Sequence, residues 1–186
     1  MEGGINLFAY TNGNPIRWTD PWGLRPLTQG EITMLKTIYN NTINYEKVDV
    51  RSGASLDPRT WPPIASGYAV TLGNKIYFPT DSYKEDFSKE DLSYQAFLVH
   101  ESGHVYQYQN DPDYTWTKAA IEGLRSDTYK YNLTPCKSFS DYRYEQQAQI
   151  LADYYKAVVL GSKERSIFES ILGPKGLGAT AIVPIK

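Results

Sequence analysis

Hydrophobic and polar positions along the chain alternate with two different periods, and each period predicts elements. Leu27-Thr28-Gln29-Gly30-Glu31-Ile32 is a helix start. Thr28 is placed to cap, Glu31 three positions on closes a capping box, and Leu27 can staple to Ile32. The stripe Ile32, Leu35, Ile38 and Tyr39 then predicts a core-packing helix over 28–40. Val48-Asp49-Val50-Arg51 alternates and predicts a short strand. Residues 52–67, with Pro58, Pro62 and Pro63, read as a loop held down by Trp61. Tyr68–Leu72 and Lys75–Phe78 flank Gly73-Asn74, which predicts a β-hairpin.

A longer helix follows. Ser88-Lys89-Glu90-Asp91 supplies an N-cap with acidic residues, and the helix runs to about Gln109, where Asn110-Asp111-Pro112 stops it. Its inward face carries Phe97, His100, Glu101, His104, Val105 and Tyr108. Gly103 costs such a helix about 1 kcal/mol relative to alanine, which close approach of a neighbouring backbone would offset. Tyr144–Tyr155 predicts another helix, with Glu145, Ala148, Ala152, Tyr155 and Val159 on one face. From Gly173 the chain is glycine-rich and then apolar; Ala181-Ile182-Val183 is either flexible or an edge strand.

Composition narrows the class. The 186 residues suit one domain with an appendage, and 41% hydrophobic content including sixteen tyrosines can build a core. A net charge of -2 and a pI near 5.7 leave no basic footprint for nucleic acid. There is no apolar run of about eighteen residues to span a membrane, and no charged leader followed by an apolar segment. The single cysteine, Cys136, has neither a disulfide partner nor a spare histidine to activate it, which excludes a cysteine protease.

The candidate chemistry lies in His100-Glu101-Ser102-Gly103-His104, an H-E-x-x-H pattern that holds both histidines of the chain. On a helix, positions i and i+4 stack on one face, where two imidazoles can share a tetrahedral Zn²⁺. Glu101 projects beside the metal, as the general base that takes a proton from water there. The longer pattern H-E-x-x-H-x-x-G-x-x-H fails, because Gln107 and Asn110 stand at its glycine and histidine positions. With no further histidine, the third ligand must be a carboxylate: Glu122, Asp127, Asp141, Glu145 or Asp153. Glu145 is favoured, since a carboxylate heading an apolar helix face needs a buried partner; Glu122 is second. An oxyanion donor must be a tyrosine, an arginine or a main-chain amide, and Tyr142, Arg143 and Tyr154 lie near Glu145 in sequence. Asp153 is a candidate to orient a histidine.

Two resemblances add to this. Asn6-Leu7-Phe8-Ala9-Tyr10 and Pro15-x-x-x-x-Asp20-Pro21-x-Gly23-Leu24 resemble the end of the core of Rhs/YD-repeat proteins. That resemblance implies a division into residues 1–24, the end of an Rhs core, and 25–186, a C-terminal toxin. It also implies self-cleavage after Leu24, with Asp20 as a catalytic aspartate. Leu27-Thr28-x-Gly30-Glu31, Gly73–Phe78, Leu98–Gln107 and Glu145-Gln146-Gln147-Ala148 resemble zincin-like metallopeptidase domains attached to Rhs and related secretion-associated proteins. The implied fold is α+β, with an HExxH helix and a Glu-bearing helix packed beside a small antiparallel sheet. The implied site has one zinc ion on His100, His104 and Glu145, with Glu101 as base.

The expected function is a gluzincin-type endopeptidase acting on a protein or peptide. It would be a toxin delivered into a target cell by a specialised secretion system, such as type VI, and countered by a cognate immunity protein. A hairpin edge strand beside the helix would either align the substrate or only cover the helix. The competing expectations are a non-enzymatic binding module on the same fold and a toxin of another class, such as a nuclease.

Overall fold

A computed structural model describes residues 24–134, 137–173 and 176–178. The expectations for Asp20, the rest of residues 1–23, Cys136 and Ala181–Val183 fall outside the described residues. The described elements are β1 (Leu24–Pro26), α1 (Gln29–Tyr39), β2 (Asp49–Ser52), α2 (Trp61–Ala65), β3 (Val70–Leu72), β4 (Lys75–Phe78), α3 (Leu92–Asn110), α4 (Trp116–Gly123), α5 (Tyr144–Val159) and α6 (Arg165–Leu172).

The local signals act as their chemistry requires. Thr28 and Glu31 close a reciprocal capping box on α1. The cap of α3 is Asp91, which accepts from Ser93 N at 2.9 Å and Tyr94 N at 3.2 Å. Ser88, expected to contribute to that cap, lies instead in a separate 3₁₀ turn whose own cap is Asp86. Trp61 is not a buried anchor: it is 58% exposed, and its indole N–H donates to Ser55 O within the same loop. Thr60 is the buried residue there, bonded to Ser55 N and Asp57 O.

The sheet has four strands in the order β1-β2-β4-β3. It is mixed, not wholly antiparallel as expected. The chain leaves β2, makes β3 at the far edge, and returns through Gly73-Asn74 into β4, which therefore runs parallel to β2. The fully buried pair Val50 and Ile76 sits at the centre of that register. β3 is left as an edge strand.

Helix α3 runs through the middle of the molecule, and residues 98–105 are all buried. Its principal neighbour is α5. A Cβ on Gly103 would meet the Cα and Cβ of Ala148 at 3.0 Å, so the glycine permits the close approach anticipated for it. Far from this seam, residues 176–178 return to the end of α1. There Leu177 N donates to Ile38 O at 2.8 Å, and Asn40 Nδ2 donates to Leu177 O at 2.9 Å.

Candidate metal centre

The Gly103–Ala148 contact brings the first turn of α5 over the middle of α3. His100 and His104 lie on one face of α3, with ring centroids 5.3 Å apart. Glu145 descends between them: Oε2 lies 3.4 Å from His100 Nε2, and Oε1 lies 3.5 Å from His104 Nε2. Among the described residues this is the group of His, Cys, Asp and Glu side chains suited to hold a metal ion, its ligand atoms all within 4.8 Å of one another.

The spacing tests the fit. Charge-assisted hydrogen bonds measure about 2.7–2.9 Å, so the two contacts are too long to be good ones. Ligand atoms held about 2.0–2.1 Å from one tetrahedral metal ion lie roughly 3.4 Å apart, and each imidazole nitrogen meets its nearer carboxylate oxygen at about that separation. Two imidazole nitrogens and one carboxylate leave a fourth position for a small molecule.

Electrostatics agree with this close grouping. Burial disfavours a charge on His104, but Glu145, then Glu101 and Gln107, outweigh it and raise its pKa to about 9. Burial opposes ionisation of Glu145 too, yet His104 and His100 hold its carboxyl well below the usual range. Without a metal the cluster therefore keeps a proton on His104, and a metal ion must displace it.

Glu101 is buried beside the histidines, and its Oε2 accepts from the Thr71 hydroxyl at 2.8 Å. Thr71 belongs to edge strand β3, so sheet and helix meet at this carboxylate. The cluster opens into a cleft of about 1260 Å³ with Tyr68, Phe97, Ile121, Leu124 and Tyr129 among its walls.

The other anticipated residues are placed elsewhere. Tyr142 is buried and donates to Asn132 O at 2.9 Å. Arg143 binds the side chain and main-chain oxygen of Asp127. Tyr154 lies on the face of α5 opposite Glu145, as roughly 3.6 residues per turn dictates, and donates to Glu169 at 3.1 Å. None of the three lines the cleft. Asp153 accepts from Tyr131, Gln149 and Lys156, not from a histidine. Asp141 caps Ser138, and Asp127 pairs with Arg125 and Arg143. Glu122 sits on α4 outside the cluster, its Oε2 buried without a hydrogen-bond partner.

No family model matches the chain. It is similar to the type VI secretion system spike protein VgrG2b of Pseudomonas aeruginosa, with 33% identity over 135 residues, which is 70% of this chain and 13% of that protein. Among solved structures it is similar to the effector domain of Pseudomonas aeruginosa VgrG2b, with a TM-score of 0.64 and 29% identity over 79% of this chain and 83% of that one. The chain is homologous to the VgrG2b effector domain. The carrier named in these comparisons is a VgrG spike; an Rhs core is not.

Beside that homology stand groups that spacing in sequence did not single out. Thr71 was legible only as a hairpin residue. Tyr114, between α3 and α4, is 9% exposed, lines the cleft and packs its ring on Tyr144 at 5.0 Å. Burial pushes its hydroxyl well up, with Glu145 and Glu101 adding to the effect. Tyr129 meets the His100 ring edge-on at 5.7 Å, and burial followed by the same two acids pushes its pKa to about 12. Both stay protonated at neutral pH and so remain donors. No periodic pattern marks either position, because both lie on connections between helices.

Proposed function

We propose that this domain is a zinc-dependent endopeptidase of the gluzincin type, delivered as a toxic effector by a type VI secretion system. The observation that carries the reading is the convergence of His100, His104 and Glu145, whose ligand atoms all lie within 4.8 Å of one another, with Glu101 held beside them at the floor of an open cleft.

His100, His104 and Glu145 would hold the ion. Zinc bound there would supply a Lewis acid for a scissile carbonyl and lower the pKa of water towards about 7. Glu101 accepts the proton of the attacking water and hands it to the leaving amine. The Thr71 hydroxyl keeps that carboxylate in place during both transfers. Tyr114 and Tyr129 present phenolic donors to the same cleft, in the role first assigned to Tyr142, Arg143 and Tyr154. The cleft exceeds the roughly 300–1,000 Å³ of small-molecule pockets and is walled by apolar and aromatic side chains, which suits a stretch of polypeptide. Homology to the VgrG2b effector domain supports delivery on a spike. A producing cell would then need an immunity protein that denies access to the cleft.

Metal content and hydrolysis test this together. Elemental analysis should find about one zinc per wild-type chain, lost or much reduced in His104→Ala and Glu145→Ala. Glu101→Gln should retain the zinc and lose hydrolysis of an unbiased peptide mixture by roughly 10²–10⁴-fold. A wild-type chain that takes up no zinc, or a Glu101→Gln variant as active as wild type, would sink the proposal.

A further inference from the structure

Two glutamines join the two site helices. Gln107 Oε1 lies 2.9 Å from His104 Nδ1. Its Nε2 donates to the main-chain oxygen of Tyr144 at 2.8 Å and to Gln147 Oε1 at 3.1 Å. Gln147 Nε2 donates in turn to the main-chain oxygen of Tyr142 at 2.7 Å.

The direction of this chain is set at its far end. A main-chain carbonyl oxygen can only accept, so each glutamine must turn its NH₂ towards the carbonyl it meets. Gln107 is then left with its oxygen facing the imidazole, and His104 Nδ1 must be the donor. In a neutral ring the lone pair falls on Nε2, the atom that faces Glu145. Flipping the Gln107 amide would set carbonyl against carbonyl at Tyr144. Water offers little relief, because Gln107 and Gln147 are 2% and 8% exposed, and an unpaired polar group at such a site is costly.

We propose that Gln107 is a positioning residue that holds His104 as the Nδ1–H tautomer and so presents Nε2 to a metal ion, its own direction being fixed by Gln147 and the carbonyls of Tyr142 and Tyr144. This rests on the metal-centre reading above. The Tyr144 carbonyl immediately precedes Glu145, so one turn of α5 delivers the third ligand and also orients the second. The donor set is locked as a unit, and the residue that departs from the longer H-E-x-x-H pattern acquires a purpose.

The test has two arms. In ¹⁵N-labelled, metal-free wild type, ring nitrogen shifts are followed to a pH where they report a neutral His104. The expected result is a proton on Nδ1; a proton on Nε2 would overturn the proposal, whatever any variant does. In the second arm Zn²⁺ is titrated against a chromophoric chelator into wild type, Gln107→Met and Gln147→Met, with circular dichroism to verify folding. Gln107→Met should bind about 10- to 100-fold more weakly. Gln147→Met should lose less, since Gln107 keeps its contacts to His104 and Tyr144. Equal affinity in wild type and folded Gln107→Met would overturn the proposal. Wild type that takes up no zinc would instead overturn the metal-centre reading and the purpose given to Gln107, while an Nδ1–H signal would still uphold the tautomer.

Discussion

Glu31 and Glu145 both stand in the first turn of a helix and both are shielded from water, yet their surroundings differ. Glu31 is fully buried, and both its oxygens are engaged. Arg25 grips it in a fork at 2.7 Å on each arm, and Thr28 N and Phe87 N each donate at 2.8 Å. Arg25 also donates to Lys84 O, so one carboxylate ties together β1, α1 and the segment leading into α3. Glu145 has 12% of its side chain exposed and meets two imidazole nitrogens at 3.4 and 3.5 Å. Among the described residues it receives no main-chain donor. A buried carboxylate met by a guanidinium fork and amides has no capacity left for a ligand. One met by imidazoles alone could still help to hold a metal ion. The same residue type in the same helical slot is a fold element in one place and a candidate ligand in the other.

The largest effect should come from breaking the first of these. Glu31→Ala strands Arg25 and should cost about 3–5 kcal/mol, read by chemical denaturation. Glu145→Gln should cost the metal-free protein far less. Its signature should be loss of the stabilisation that zinc confers on wild type, about 2.7 kcal/mol at a free ion concentration a hundredfold above Kd. If both substitutions destabilised the metal-free chain equally, the contrast would fail.

Gly103→Ala should sharpen the same contrast. The added methyl would press on Ala148 and force α3 and α5 apart, at about 1–3 kcal/mol. Because that seam sets the distance from the histidines to Glu145, zinc affinity should fall as well, while the Arg25–Glu31 cluster should be untouched. Thr71→Val removes the Thr71 hydroxyl from Glu101 with little change of shape. Hydrolysis should drop about tenfold, the lower end of what a hydrogen bond to a charged group is worth. Zinc content should be unchanged, and Thr71→Ser should restore activity.

The mildest effect is on pH dependence. His104 has its pKa raised from 6.5 to about 9, so its contribution to metal-free stability is full below 6.5 and is lost as pH rises through about 9. Glu145 is lowered from 4.5, so its contribution is present above 4.5 and is lost as pH falls below that value. Together the pair should support the metal-free fold best between those two limits. Glu145→Gln should flatten the profile of melting temperature against pH. Zinc affinity should follow the opposite slope on the alkaline side, strengthening up to about pH 9 as the competing proton leaves His104.

Much of this was legible from local pattern. The capping box at Thr28 and Glu31, the hairpin around Gly73-Asn74 and the stop at Asn110-Asp111-Pro112 depend on neighbours a few residues apart. The start of α3 was misplaced, because Ser88 and Asp91 are both good caps and only the intervening 3₁₀ turn separates them. The resemblance implied an antiparallel sheet, of which local pattern marks only the hairpin and the short strand at 48–51. The parallel pairing of β2 with β4 joins segments that no short pattern connects. Tyr142, Arg143 and Tyr154 drew notice by closeness to Glu145 in sequence, but helical geometry and other partners turn them away from the cleft.

The sequence by itself determined that His100, Glu101 and His104 share one helix with both imidazoles on one face, because an i, i+4 relation is a property of a single helix. It also made a carboxylate the expected third member of the cluster, because no histidine remained. Only the tertiary structure decided which acid meets the imidazoles, which hydroxyl holds Glu101 and which amide turns His104. Those relations depend on how closely α3 approaches α5 and β3. That approach is set by a missing side chain at Gly103 against Ala148, a contact whose consequence for Glu145 appears only once both helices are packed.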